Sequence, residues 1–248
     1  MYNIFIKEII LTGIKMIKHV SLDAWNTLLI PNPTFAKLRN EYLASLCGIS
    51  DHQMKIVYDK TKRFVDDSAE HSCKAFTTPQ VYDLLFTNYV QMSSKFARNA
   101  HSFDIDNVMN HINTLFIENP PTIPDSTIKT LNNLKHYDIE WGIISNTNFI
   151  SGEILHKVIM SSFPEYSDQR VFAIYSDLVG MSKPALGIFD KLYQHKKERF
   201  EYIQKKQIVH IGDNITCDII GAAQYGFTTV LVTHPSELAE VIDNICFE

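Results

Sequence analysis

The sequence predicts an α/β fold, a parallel sheet covered by helices on both faces and interrupted by an inserted all-helical unit. Two observations carry this prediction. Short β-branched or alternating apolar segments recur with helical patterns between them. Residues 34–118, by contrast, show four helical patterns and no strand. Alternation of strand and helix implies right-handed crossovers and therefore a parallel sheet. Ligands of such sheets collect at the carboxyl ends of the strands. With 248 residues the chain has room for one large domain, or one domain with a smaller insert.

The elements follow in order. Residues 1–15 include Ile4, Phe5, Ile6, Ile9, Ile10 and Leu11, but Lys7 and Glu8 interrupt them and no small-residue cleavage site follows. That pattern speaks against a secretory signal. The segment reads instead as a non-core extension, either an upstream start ahead of Met16 or an amphipathic appendage. His19–Leu22 is the first strand. Phe35, Leu38, Tyr42 and Leu46 then share a helical face, with Gly48 as C-cap. Met54, Val57, Tyr58 and Thr61 mark a second helix. Thr78 as N-cap and Pro79 at N1 start a third, carrying Val81, Leu85, Tyr89, Met92 and Phe96. Ile105, Val108, Met109, Ile112, Leu115 and Phe116 give the fourth. These stripes are core positions of a bundle that closes at Asn119-Pro120-Pro121. Beyond it, strands at 139–144, 171–176, 207–211 and 228–232 alternate with helices at 126–136, 150–160, 185–194 and 218–225. The expected organisation is a core of residues 1–33 and 119–248 around a helical unit of 34–118.

Composition narrows the function classes. A formal net charge of −5 without a basic block disfavours a phosphate grip on nucleic acid. No run of 18 apolar residues suggests a membrane span. Cys47, Cys73, Cys217 and Cys246 form no C-x-x-C pair and suit a reduced, cytoplasmic setting. The run Lys196-Lys197-Glu198-Arg199 with Lys205-Lys206 reads as a solvated face. Nothing in the sequence sets an oligomeric state.

Four short segments fall at the ends of predicted strands. Asp23 ends the first, Ser145-Asn146-Thr147 the second, Lys183-Pro184 follows the third, and Gly212-Asp213 through Asp218 ends the fourth. Each alone has an ordinary use as cap, turn or solvated lysine. In this order, each at a carboxyl end, they make a phosphoryl-transfer site. Asp23 is a carboxylate nucleophile that would form an aspartyl intermediate. Ser145 and Asn146 offer a hydroxyl and amides to equatorial oxygens. Lys183 neutralises charge and keeps Asp23 ionised. Asp213, with Asp218, offers oxygen ligands to a hard divalent cation such as Mg²⁺. His210 and Trp141 read as core, Asp177 and Asn148 as loop formers, and Cys217 has no assigned role.

This constellation resembles the haloacid dehalogenase (HAD) superfamily, whose four motifs lie on a Rossmann-like sheet. Asp23-Ala24-Trp25-Asn26-Thr27-Leu28 is similar to its first motif, D-x-D-G-T-L. Ser145 fits the second, Lys183 the third, and Asp213 to Asp218 with Gly221-Ala222-Ala223 and Gly226 resembles the fourth. The resemblance covers residues 17–232. It implies that residues 34–118 are a C1-type cap that selects substrate, and that the Trp25 backbone carbonyl is a further metal ligand.

The chain departs from the pattern at two positions. Phosphatases of the superfamily carry a second aspartate as general acid/base where this chain has Trp25, and indole cannot perform that role. Losing such a group costs roughly 10²–10⁴-fold. Asn26 replaces a glycine and tolerates left-handed backbone. Three readings follow: a Mg²⁺-dependent phosphohydrolase acting on a phosphorylated small molecule, a catalytically impaired binding or regulatory protein, and an enzyme like the 2-haloacid dehalogenases. The last carry D-A-Y-G-T-L at the first motif, but they are metal-free and lack the Gly-Asp opening of the fourth.

Overall fold

A computed structural model describes residues 17–93, 103–166, 171–200 and 202–247. The expected extension 1–15 and the helical position Phe96 lie outside them. The sheet has five parallel strands, β1 (His19–Leu22), β2 (Glu140–Ser145), β3 (Phe172–Tyr175), β4 (Ile208–Gly212) and β5 (Thr228–Leu231), in the spatial order β3-β2-β1-β4-β5. Leu22 of β1 is in register with Ile143 of β2 and Ile211 of β4. The winding direction reverses at β1, so a crevice opens between the carboxyl ends of β1 and β4.

All four residues of β1 are buried, as expected for a central parallel strand covered on both faces. Successive side chains enter different cores: Ile143 joins Val20, Leu22 and Leu155, whereas Ile144 joins Ile174, Ile188, Phe189 and Ile208. The first core lies under α5 (Asp125–Leu134), α6 (Gly152–Ser161) and α10 (Leu238–Phe247). The second lies under α8 (Leu186–Arg199) and α9 (Gly221–Tyr225). A short α7 (Ser176–Val179) follows β3 directly, so the strand ends before Ser176. The helix expected at 218–225 begins earlier, with a π-helical turn over Ile215–Ile220 that runs into α9.

Between β1 and α5 the described residues hold α1 (Pro33–Cys47), α2 (Asp51–Ser72), α3 (Thr78–Ser93) and α4 (Ile105–Glu118), and no strand of the sheet. Helix α1 packs on α2 and α4, and α3 packs on the same two. Asn32 caps α1, Gly48 ends it at φ 64°, and Ser50 with Gln53 forms a capping box on α2. Two details correct the expectation. Helix α3 already includes Thr78: Thr77 accepts from the Val81 amide, and its own N–H donates to Gln80 Oε1 at 2.9 Å. The buried face of α1 is Phe35, Arg39, Leu43, Ala44 and Cys47, while Leu46 is 40% exposed. The hydrophobic stripe Leu38–Tyr42 is only half-buried, with Tyr42 stacked on His111 of α4 at 4.0 Å.

Lys196 is a further correction. It is fully buried and donates to Glu140 Oε2 at 2.8 Å, tying α8 to β2, instead of lying on a solvated face. Among the described residues no helix is long and apolar enough to cross a membrane.

Candidate active site

Asp23 leaves the carboxyl end of β1 and is 7% exposed. The next turn is tight: the Asn26 amide N–H donates to the Leu29 carbonyl, and Asn26 itself sits at φ 56°, a conformation asparagine tolerates. This turn presents the Asn26 side chain to β4, where Nδ2 donates to Asp213 Oδ2 at 3.2 Å. Across β4, Gly212 lies so close to Asp218 that a Cβ there would meet its carboxyl carbon at 2.2 Å. The missing side chain lets the π-helical turn fold Asp218 back under the strand end.

Lys183 holds the centre and is 1% exposed. Its Nζ donates to Asp23 Oδ1 and Asp218 Oδ1 at 2.6 Å each, and to the Ile144 carbonyl at 2.7 Å. The backbone of Lys183 is fixed by Asn146: Lys183 N–H donates to Asn146 Oδ1 at 2.8 Å, and Asn146 Nδ2 donates to the Lys183 carbonyl at 3.0 Å. Asp23, the Ile144 carbonyl of β2 and Asp218 therefore converge on one ammonium group, while Asn146 holds its backbone.

Charge in this nest is unevenly distributed. Burial pushes the Asp23 carboxyl up against the pull of Lys183, with Asp218 adding to the rise, to about 7. Asp218 is held well below its ordinary value: burial opposes this, but Lys183 and His210 outweigh it. Burial also acts against the Lys183 ammonium, and the two carboxylates overcome it and raise its pKa. Burial raises the Asp213 carboxyl as well, with Asp218 adding to it. Asp218 is thus the fixed anion, and Asp23 the carboxylate most in need of a second cation.

His210 is a satisfied core histidine. Burial lowers its pKa, so the neutral ring donates from Nε2 to Asp218 Oδ1 at 3.2 Å and accepts at Nδ1 from Ser21 Oγ at 3.0 Å. Asp218 Oδ2 takes the Asn214 amide at 3.0 Å, so both its oxygens are engaged. Asp177 caps the loop after β2, accepting from Thr147 Oγ1 at 2.6 Å and from the Gly152 amide. Asn148 Oδ1 accepts from the Phe149 amide, and Trp141 packs on Phe163. Burial pushes the Cys217 thiol up to about 12, which leaves it unreactive.

A cavity of about 440 Å³ opens above these groups, of the size that holds a small metabolite. Asp23, Trp25, Asn146, Lys183, Asp213 and Asp218 line it. Ser145 does not; it is fully buried and its Oγ has only the Asn146 carbonyl at 3.5 Å. The indole of Trp25 packs 6.1 Å from the Phe116 ring of α4 and forms part of the wall. Helices α1 and α2 add Phe35, Arg39, Tyr58 and Val65 to the lining. Arg39 is a lining residue that the apolar periodicity of α1 did not mark. Its charge hid it, although a lone arginine four residues after Phe35 does lie on that residue's face.

Asp23, Asp213 and Asp218 each place a carboxylate oxygen within 4.8 Å of the others. Hard oxygen donors of this kind fit Mg²⁺, and the Asp213 carboxylate, which accepts from Asn26 Nδ2, has no ion-pair partner among the described residues.

A family model for haloacid dehalogenase-like hydrolases matches residues 17–226. Among solved structures, the magnesium-bound protein YfnB of Bacillus subtilis is similar at 17% identity and a TM-score of 0.68, covering 92% of this chain and 100% of that one. A HAD phosphatase from Thermococcus onnurineus is similar at 17% identity and 0.59, covering 92% and 99%. A 2-haloacid dehalogenase from Pseudomonas syringae pv. Tomato DC3000 is similar at 18% identity and 0.57, covering 92% and 98%. At these identities the likeness is one of fold. A search of curated proteins finds no match.

Proposed function

Because the chain belongs to the haloacid dehalogenase-like hydrolase family, we propose that it is a Mg²⁺-dependent phosphohydrolase of small phosphorylated molecules, working through an aspartyl-phosphate on Asp23. The observation that carries this reading is the placement of Lys183 Nζ at 2.6 Å from both Asp23 and Asp218. The free Asp23 oxygen attacks phosphorus in line with the leaving oxygen. Lys183 offsets the charge gathered on the phosphoryl group and holds the nucleophile in position. Asn146, anchored at both ends to the Lys183 backbone, lies at the same cavity wall for the equatorial oxygens. Ser145 supports that loop from below and reaches an oxygen only if its hydroxyl turns upward. Water then opens the acyl phosphate, returns Asp23 and releases phosphate.

Asp23, Asp213, Asp218 and the Trp25 carbonyl are the groups that would hold Mg²⁺. When bound, it screens the anionic nucleophile from an anionic substrate and draws the Asp23 carboxyl below its metal-free value near 7. The helices of residues 34–118 act as a cap over the core of residues 1–33 and 119–248, supplying the substrate-facing wall. The four scattered cysteines, with no C-x-x-C pair, support a reduced, cytoplasmic setting for this chemistry.

The aromatic at position 25 favours a second reading, displacement of halide from carbon by the same Asp23. A halide leaves without a proton, so no acid is needed there. Asp213 near Asp23 weighs for the phosphoryl reading, because a second, half-buried carboxylate opposes an anionic haloacid unless a cation joins them.

The test is hydrolysis of p-nitrophenyl phosphate with Mg²⁺ and with EDTA, beside chloride release from chloroacetate. The expected result is phosphate release that requires Mg²⁺ and disappears in Asp23→Asn. Chloride release without metal, and no phosphate release from folded protein, would replace this reading with the second.

A further inference from the structure

We propose that Arg39 is a specificity-determining residue that binds a second anionic group on the substrate, at the end remote from the transferred phosphoryl group. The ligand class is therefore a small doubly anionic compound, a phosphate monoester whose body also carries a carboxylate or a second phosphate. This deepens the phosphohydrolase reading and rests on it for the identity of the other end.

Arg39 is 9% exposed, on the buried face of α1, and lines the cavity shared with Asp23 and Lys183. Among the described residues the groups it contacts, Asn40, Tyr58 and Phe35, are neutral. Nη1 donates to Tyr58 Oη at 2.7 Å, while Nε and Nη2 donate to Asn40 Oδ1 at 3.2 and 3.0 Å. The guanidinium lies 3.6 Å from the Tyr58 ring centroid and 5.6 Å from that of Phe35. No carboxylate pairs with it among the described residues. Asp66, also at the wall, is ion-paired with Lys62. A guanidinium carries five N–H donors; three are used here, which leaves two, one on each terminal nitrogen.

A buried cation without a counter-charge is costly, and the π faces and neutral acceptors offset only part of that cost. An anion with two oxygens completes it, matching the paired terminal N–H groups of the fork. The seat is also rigid. Arg39 stacks on Tyr58, Tyr58 stacks on Phe149 at 4.1 Å, and Tyr82 Oη donates to the Phe149 carbonyl at 3.1 Å. This stack joins the helical wall to the loop that carries Asn146. Between the two charged ends, Trp25, Phe35 and Phe116 supply an apolar wall that suits an aryl or short alkyl body.

The experiment compares kcat/KM for phenyl phosphate, p-carboxyphenyl phosphate and benzene p-bisphosphate in the Mg²⁺-loaded protein. The same comparison is made with Arg39→Gln and Arg39→Lys. Binding of the corresponding phosphonates is measured in parallel by calorimetry. The doubly anionic substrates are expected to be preferred by about tenfold or more, a preference lost in Arg39→Gln and partly kept in Arg39→Lys. The carboxylate and bisphosphate arms show which anion the fork prefers. Equal kcat/KM and equal phosphonate affinity in the wild-type protein overturn the inference, whether or not the variants fold. So does a preference that persists in folded Arg39→Gln. Arg39-dependent binding without turnover supports the anion seat and counts against the phosphohydrolase reading instead.

Discussion

At position 25 the indole is part of the cavity wall, packed toward Phe116, and has no proton to exchange with a leaving group. Turnover should therefore depend on how well the leaving oxygen departs unaided. Trp25→Asp places a carboxyl at that point of the cavity that Asp23 and Lys183 also line. The expected gain on alkyl phosphates is roughly 10²-fold, with little gain on p-nitrophenyl phosphate, whose leaving group needs no acid. Steady-state rates on the two substrates measure it; a folded variant with equal, unchanged rates means that another group already supplies the proton. Asp23, Asn146 and Asp213 were legible as candidates in the sequence because each directly follows a residue that ends a strand. Lys183 lies past α7 and was marked by its order along the chain, not by a strand end. Arg39 was not, since periodicity ranks apolar residues and a buried guanidinium breaks the pattern it searches for.

At the scale of elements, the strands were legible to within a residue or two because short β-branched or alternating apolar segments recur between helical patterns, although β1 and β4 each bury a histidine. Helix α1 was misread by a turn of its face. Of the expected stripe Phe35, Leu38, Tyr42 and Leu46, Phe35 is buried, but the buried face continues through Arg39, Leu43 and Cys47, because α1 faces both α2 and the cavity. A helix that serves a site as well as a core is positioned by the site. The π-helical turn after β4 was invisible for a related reason: only the approach of Asp218 to Gly212 shows why the chain widens there. Lys196 was misread because its neighbours in sequence are exposed, while its counter-charge, Glu140, comes from a strand distant in sequence.

At the scale of the whole molecule, stability carries a pH dependence set by buried histidines. His19 is fully buried and neither ring nitrogen has a hydrogen-bond partner. Burial first, then the charge of Lys196, holds its pKa well below 6.5 in the folded protein. The unfolded chain takes up that proton near pH 6.5 and the folded one does not, so the stability held above that value is lost as pH falls. The loss is about 1.4 kcal/mol per pH unit for such a group. Asp23 acts with opposite sign: its folded pKa near 7 lies above the unfolded value, so protonation below 7 favours the folded state. The two are separated by a difference measurement. Denaturant titrations at pH 7 and pH 5 should show His19→Leu gaining on the wild-type protein as pH falls; a difference independent of pH contradicts the burial account of His19. The central claim, that the ends of β1, β2 and β4 and the segment after α7 bring Asp23, Asn146, Asp213 and Lys183 together for phosphoryl transfer to Asp23, has its own direct test. Acid-quench the Mg²⁺-loaded protein during turnover of p-nitrophenyl phosphate, and locate any phosphoryl adduct by peptide mass spectrometry. The account predicts an adduct on the peptide containing Asp23 that is absent from Asp23→Asn; phosphate release that persists in Asp23→Asn, with no adduct in the wild-type protein, would contradict it.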